Sequence, residues 1–447
     1  MKIQKLLVVL AAWLFIGGTI YYRVSNIDNE RANYEATLVR ARDFVTEDLI
    51  ARAEDEYNKA LGMKDSLDLR LEIGQMYLDK DMDNKVVDWA EGIKNKYLTE
   101  PRAFSFLLNT YIENGLTEKA FQLYDEILGR KVNSPEAEAL YKKIEYSYDK
   151  GTSVGDDVKI FRNGYWLVLD DKDGEGLRWG LMDVKATVRI GSYLYAGTVN
   201  KDGIVAARES LDHDWGYYNS TGDKLETIKD IEDITYLGEK GNELTLVIAD
   251  GVATFYDENW ELKLGPYLDA TEFSNGFAFV QAEDELWYAV NAEGKFLNET
   301  GYDEVVMNNA RIASVNGSSF VKKDDRVIML NHKCQEIDLE FKLDNAKLFH
   351  EFDGLAAVQI DGYWGLMDKT GKIVIEPTYV DADSSSHGMA AVKNETGNWG
   401  LINMENYICL PFDFTGIMPV NNKGVTLVSK AENTDNWFSI YFYKDNH

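Results

Sequence analysis

The sequence predicts a multidomain chain: an apolar N-terminal transmembrane helix, then an all-α stack of helical hairpins, then an all-β ring of about eight short sheets. Three observations predict it. Residues 6–22 form an uncharged apolar run. Residues 30–150 space their apolar side chains at the helical period, with few internal Gly or Pro. Residues 151–447 turn to aromatic and β-branched residues broken by Gly-containing turns, and they repeat. The expected boundaries are 1–29 for the cytoplasmic N-terminus and anchor, 30–150 for the helices and 151–447 for the β repeats.

The totals agree with several domains. A chain of 447 residues exceeds one ordinary domain. Hydrophobic residues at 45% and charged residues at 28% leave ample material for cores. The net charge of −29 comes from 76 acidic against 47 basic side chains. Such a chain is repelled by phosphate backbones, so nucleic acid is excluded as an expected partner. Cations and basic peptides remain compatible, and plain solubility charge accounts for the same surplus. The two cysteines, Cys334 and Cys409, form no CxxC pair, so neither zinc nor a redox motif is indicated. A disulfide between them stays open at this point, subject to a Cα separation within about 7 Å.

At the N-terminus, Lys2 and Lys5 precede the run from Leu6 to Tyr22. As a helix the run would span roughly 25 Å, the short end of what a bilayer core requires. Trp13, Tyr21 and Tyr22 suit an interface. The run ends in Thr19-Ile20-Tyr21-Tyr22, too bulky for signal-peptide cleavage. The expectation is therefore an uncleaved single-pass signal anchor, with the N-terminus cytoplasmic and the bulk of the chain extracytoplasmic.

The clearest helical unit begins at Pro101, a first-turn proline. Phe104, Leu107, Leu108 and Tyr111 follow at helical spacing, then Asn114-Gly115 as a stop. A second helix carries Ala120, Tyr124 and Ile127. This unit resembles a tetratricopeptide repeat. Shifting by 34 residues carries Tyr111 to Tyr77 and Ile127 to Ile93. A further step reaches Tyr57 and Ala60, giving up to three repeats, and a final helix from Ser134 to Tyr148 covers the end. In the resembled family the concave groove takes extended peptides. Carried over residue by residue, that resemblance implies a partner-binding lining of Gln75, Leu78, Arg102, Ser105, Asn109, Ile112 and Glu113. The plain alternative is a set of solvated side chains on a spacer.

Two copies of the β repeat align by eye, Gly354 to Tyr379 and Gly388 to Phe414. Anchors stand at Trp179, Trp215, Gly251, Trp287, Arg326, Trp364, Trp399 and Trp437, with successive gaps of 36, 36, 36, 39, 38, 35 and 38. Gly180, Gly216, Gly365 and Gly400 follow four of the tryptophans. These units resemble the WG-repeat family, over roughly residues 160–447. In the best copy Leu355–Ile360, Tyr363–Asp368 and Lys372–Ile375 read as strands, with Asp361-Gly362 and Thr370-Gly371 as turns. Glu376-Pro377 reads as a stop, and Tyr379–Asp383 as a short fourth strand.

Four short strands per unit predict a closed β-propeller; an open β-solenoid is the alternative. The last unit lacks a strand, and Val158–Phe161 resembles Lys372–Ile375, so Val158–Phe161 is expected to pair beside Gly424–Tyr443 and close the ring. A tryptophan next to glycine suits packing against a neighbouring backbone, with the indole N–H reaching a buried acceptor. The ten positions Trp179, Gly180, Trp215, Gly216, Trp287, Trp364, Gly365, Trp399, Gly400 and Trp437 are therefore read as structural.

No catalytic signature emerges. His213, His332, His350, His387 and His447 are scattered without HxxxH or HExxH spacing. Ser384-Ser385-Ser386-His387 falls in a turn and lacks the GxSxG context. No phosphate loop is present. Residues 170–175 could hold calcium but also fit a plain hairpin turn. The expectation is no enzyme, no cofactor and no metal. The expected function is a membrane-anchored binding or scaffolding protein for a protein or peptide partner. A glycan-binding or glycan-active propeller is the alternative, marked by two carboxylates about 5–9 Å apart beside an exposed tryptophan at the central mouth.

Overall fold

The computed structural model describes residues 28–171, 176–350, 353–430 and 436–445. The chain divides into two compact units, Met1–Glu145 and Tyr146–His447.

The first unit is helical. A helix over 28–46 (α1) is followed by α2 (Ile50–Met63), α3 (Leu67–Asp79), α4 (Asp83–Lys96), α5 (Pro101–Glu113), α6 (Thr117–Gly129) and α7 (Pro135–Ile144). The expected repeat positions form its core. Phe104, Leu108 and Ala120 are fully buried, as are Ala90 and Ile93 one repeat earlier and Ala60 before them. Pro101 opens α5 in the first turn, and Ser134 caps α7 by accepting from the Ala137 N–H at 3.2 Å. The turns close alike. After α5, Gly115 takes a left-handed φ of 66° and the Leu116 N–H reaches back to the Tyr111 carbonyl at 2.8 Å. Asp48 and Asp81 hold the same conformation in the two earlier hairpins. At Gly74 on α3 a Cβ would lie 2.5 Å from Phe106 Cζ and 3.2 Å from Trp89 Cδ1, so glycine lets α5 approach.

The expected membrane helix is not supported. Among the described residues no helix is long and apolar enough to cross a membrane. Helices α2 to α7 run 10 to 14 residues, about 21 Å at most, short of a bilayer core. α1 is longer but carries Asp28, Glu30, Arg31, Glu35, Arg40, Arg42 and Asp43. The run Leu6–Tyr22 lies outside the described residues. The transmembrane topology and extracytoplasmic placement built on it therefore have no support.

The second unit is an eight-bladed propeller. Each blade is one antiparallel sheet. Blade 1 is Asp157–Arg162, Tyr165–Asp170, Arg178–Met182 and Arg189–Tyr193, and blade 7 is Asp381–Ala382, Met389–Lys393, Trp399–Asn403 and Ile408–Phe414. Blades 4 and 5 have three strands each, starting at Asp269 and Glu304, and complete the outer edge through isolated bridges such as Trp287 to Tyr302 and Val327 to Leu343. Blade 8 joins the two ends of the unit: Gly416–Ile417, Val425–Ser429 and Trp437–Phe442 take Tyr148–Gly155 as their outer strand. The ring is closed, so the open solenoid is set aside. The closing segment differs from the expected one. Val158–Phe161 belongs to the innermost strand of blade 1 and pairs with Trp166–Val168, while Tyr148–Gly155, one strand earlier, makes the seal.

The phase of the repeat shifts for the same reason. Asp381–Ala382 does not end one unit; it opens the next, as its innermost strand. Pro377 does not end its strand either. Ile373–Tyr379 is the outer edge of blade 6, where a missing donor costs no ladder bond.

Six of the eight anchors lie in the third strand of a blade, and Trp215 and Gly251 stand one residue before it. In blade 6 Trp364 pairs with Tyr379 but Leu366 pairs with Ile375, so the outer strand gains two residues over Gly365. A Cβ on Gly365 would strike the Ile375 carbonyl oxygen and lie 2.8 Å from the Pro377 nitrogen. Gly400 sits likewise under the same two-residue bulge, where an added Cβ would lie 2.8 Å from the Leu410 oxygen. In blades 3 and 5 the residues opposite the outer strand's Tyr267 and Leu343 are Ala253 and Val327, so the anchors move from Gly251 and Arg326. Trp215 packs between blades: its indole N–H donates at 2.8 Å to the Ile234 carbonyl of the next blade.

Candidate functional site

On the helical unit the seven groove residues separate. Gln75, Arg102 and Glu113 are exposed, and Leu78, Asn109 and Ile112 are half-buried. Ser105 is a correction: it is buried, and its hydroxyl lies 2.7 Å from Ser134 Oγ at the seam of α5 and α7, so it cannot line a groove. Arg102 pairs with Asp68 at 2.7 Å across α5 and α3, and Gln75 donates to Asp79 along its own helix. A cavity of about 300 Å³ lies elsewhere on this unit, between α4 and α6. It is polar and internally paired: Lys94 to Glu126 at 2.7 Å, Lys119 to Glu91 at 3.3 Å, and the Tyr111 hydroxyl to Glu91 at 2.8 Å.

The propeller offers two arrangements built from residues in or just after the innermost strands. The first is a cavity of about 390 Å³ lined by blades 1, 5, 6, 7 and 8. Its apolar wall includes Phe161, Met307, Leu348, Phe349 and Met418. Its charged groups are Lys159, Lys347 and Asp383, with His350 beside them. Lys347 reaches Asp383 at 2.7 Å and Asp381 at 3.0 Å and lies over the rings of Trp364 and Trp399. Those two carboxylates raise its pKa against the opposing pull of burial. Lys159 is placed differently. It donates to the Ala196 carbonyl at 2.7 Å and lies over Trp179 at 5.9 Å. Burial pushes its pKa down to about 8, with no carboxylate to oppose it. Burial likewise pushes His350 down to about 4, so it is neutral at pH 7.

The second arrangement is a buried polar network on blades 1, 3, 4 and 5. Glu272 is 2% exposed. It accepts from the Tyr236 hydroxyl at 2.8 Å, the Glu239 N–H at 3.3 Å and Asn242 Nδ2 at 3.4 Å. Burial outweighs these donors and pushes its pKa up to about 7. Glu239 pairs with Arg162 at 2.7 Å, and the Tyr236 hydroxyl also lies 3.1 Å from the Ala310 carbonyl.

The remaining sequence candidates act as stitching. Ser384 Oγ accepts from the Ala357 N–H of the previous blade at 2.9 Å. Ser386 Oγ donates to the Val420 carbonyl at 2.6 Å, with His387 Nδ1 2.9 Å from the same oxygen. No disulfide joins Cys334 and Cys409. Among the described residues no cluster of His, Cys, Asp or Glu is arranged for a metal, and residues 172–175 of the suggested calcium turn lie outside them. None of Lys159, Lys347, Asp383, Tyr236 and Glu272 was singled out from sequence. Their signal was positional: each stands two or three residues after the first residue of an innermost strand.

No curated protein sequence matches the chain. Among solved structures it is similar to Hsv2 from Kluyveromyces lactis, at 10% identity and TM-score 0.38, covering 58% of this chain and 97% of that one. It is also similar to virginiamycin B lyase from Staphylococcus aureus, at 13% identity and TM-score 0.32, covering 57% and 94%. Apo AztD from Citrobacter koseri matches at 12% identity and TM-score 0.35, covering 58% and 90%. At such values no function is carried across. Residues 339–364 and 364–395 match the model of the WG containing repeat. Those residues make the outer edge of blade 5, all of blade 6 and the start of blade 7, where the Trp-Gly pair and the bulge above it are most regular. Over residues 339–395 the chain carries WG-containing repeats.

Proposed function

We propose that this protein is a non-enzymatic binding protein that recognises a protein or peptide partner, with the central cavity of the propeller as its principal seat. The observation that carries the reading is the cavity's composition. A preformed space of about 390 Å³ has an apolar wall, and its lining carboxylate Asp383 is held by Lys347. That volume lies in the range of a small-ligand site or a seat for one or two side chains. Rigid repeats around it lower the ordering cost of binding. The exposed Gln75, Arg102 and Glu113 on α3 and α5 give the helical unit a second contact surface.

The glycan alternative asked for two carboxylates about 5–9 Å apart beside an exposed tryptophan. Asp381 and Asp383 instead share one ammonium, and Trp364 beside them is 7% exposed. A neutralised pair next to a buried indole supports binding over glycoside chemistry.

The test is photo-crosslinking in intact cells from Met307 and Met418 at the cavity, and from Gln75 and Glu113 on the helices. A polypeptide captured at the cavity positions is the expected result. Capture of carbohydrate alone, or turnover of a bound compound by the purified chain, would overturn the reading. Retained capture after residues 30–145 are replaced by an unrelated linker would reduce the helices to a spacer.

A further inference from the structure

We propose that the central cavity selects a ligand carrying a carboxylate on an apolar body of about one aromatic or branched residue, with Lys159 as the anion partner and Phe161, Met307, Phe349 and Met418 as the wall. The inference rests on the binding reading above and adds the ligand chemistry.

Two lysines in one cavity make the argument. Lys347 is answered by Asp381 and Asp383 at 3.0 and 2.7 Å. Lys159 has one carbonyl, that of Ala196, and the face of Trp179. In a chain of net charge −29 carboxylates are abundant, yet none among the described residues forms an ion pair with this ammonium. A half-buried cation without a counter-charge carries a desolvation cost that an incoming anion relieves. The Trp179 ring offsets part of that cost and fixes the ammonium in place.

The chemistry of the anion follows from what surrounds Lys159. One ammonium is a point charge without the fork that an arginine gives to phosphate. The nearby arginine, Arg162, is committed to Glu239 at 2.7 Å. A single carboxylate is matched to a single ammonium. The apolar wall then requires the rest of the ligand to be hydrocarbon or aromatic, and the sulfurs of Met307 and Met418 adapt to its shape. The same chemistry arises from two sources, a free amphiphilic acid or the C-terminal residue of a peptide.

The test titrates the full chain by calorimetry and by indole fluorescence, which Trp179 reports. The probes are N-acetyl-phenylalanine, its amide, and a short peptide ending in Phe with a free or an amidated C-terminus. The acids bind about tenfold or more tighter than the amides, the ratio expected for one charge-assisted hydrogen bond. Lys159→Met removes that ratio. It also leaves the melting temperature unchanged or higher, because an uncompensated cation has been replaced by an apolar chain of similar length. Tighter binding of the peptide acid assigns the source to a chain terminus, and binding of the small acid alone assigns it to a free compound. Equal binding of acid and amide overturns the carboxylate inference while leaving the peptide-binding reading intact. Binding of neither overturns the inference at this cavity, and the crosslinks from Gln75 and Glu113 then decide the broader reading separately. A Lys159→Met protein that keeps the acid preference also overturns it.

Discussion

In the helical stack the first helices approach through Gly74, and what lies against that glycine is the end of the Phe106 ring. In the propeller the strands approach through Gly365, and what lies there is the backbone of Ile375 to Pro377. A ring can tilt, whereas a backbone held in a β ladder cannot. The ends differ as well. The stack finishes at a capped helix, α7, with its own polar face. The propeller has no finish: its last blade is completed by Tyr148–Gly155 from its own beginning. The stack is thus a sum of neighbours, and the ring a single closed object whose errors spread.

Breaking the seal gives the largest expected effect. Lys150 and Ser153 pair with Ile440 and Phe438. Lys150→Pro together with Ser153→Pro fixes φ at two positions of the sealing strand and disfavours its pairing, leaving blade 8 with an open edge. The expected loss exceeds about 4 kcal/mol, combining the missing bonds with lost packing at Trp437 and Phe442. Denaturant unfolding followed by indole fluorescence measures it. A loss below about 1 kcal/mol would show that the ring holds without its seal.

The two glycines test the comparison directly. Gly365→Ala is expected to cost about 3 kcal/mol, because the added carbon meets backbone atoms on several sides. Gly74→Ala is expected to cost about 1–2 kcal/mol, because Phe106 and Trp89 can yield. Urea midpoints of the two variants settle the order, and a costlier Gly74→Ala would reverse the comparison.

Glu272 gives the ring a pH dependence of its own. Its folded pKa of about 7 lies above the ordinary value of 4.5 for a free glutamate. The folded state therefore holds a proton that the unfolded state releases. Stability from this group is full below about pH 4.5 and declines as pH rises to about 7. Glu272→Gln keeps an acceptor for Tyr236 and removes the titration. At pH 8 the variant is expected to be more stable by about 2–3 kcal/mol, with the gain vanishing near pH 4.5. Thermal melts across that range check it, and a gain independent of pH would show that Glu272 does not titrate as described.

The repeat architecture was legible because it is written in residues that packing holds constant. Trp-Gly recurs because the indole and the bulge over the glycine recur, and Ala120, Ala90 and Ala60 recur because helices touch there. The phase was not legible, since Asp381–Ala382 reads equally well as the end of one unit or the start of the next. Blades 3 and 5 lack the tryptophan, and the substitutes Gly251 and Arg326 misplace the anchor by two residues and one. The cavity was illegible for a deeper reason. Lys159, Tyr236, Val306, Lys347 and Asp383 lie in or just after the innermost strands of different blades, and no two neighbouring blades agree. A repeat is found where units match, and a site is made where they differ. Ser105 failed in the other direction. The resembled pattern marks its position as groove-facing, but here Ser134 reaches it from the capping turn.

The smallest effect concerns the joints of the stack. Asp81 occupies the left-handed position after α3, with φ of 51°, where the equivalent hairpin after α5 has Gly115 at 66°. The Met82 N–H closes onto the Tyr77 carbonyl at 3.0 Å, as Leu116 closes onto Tyr111 at 2.8 Å. The backbone geometry is therefore already that of the glycine hairpin, and the aspartate bears the Cβ strain. Asp81→Gly relieves that strain but adds freedom to the unfolded chain, so the net gain is only about 0.5–1 kcal/mol. The matching change in the ring, Asp361→Gly at φ 51° ahead of Gly362, lies in a hairpin turn that already suits aspartate. It should gain less, because two consecutive glycines loosen the turn. Urea midpoints of both variants read the difference. An equal gain would mean that the joints of stack and ring are strained alike, and that their contrast lies only in how the glycines are packed.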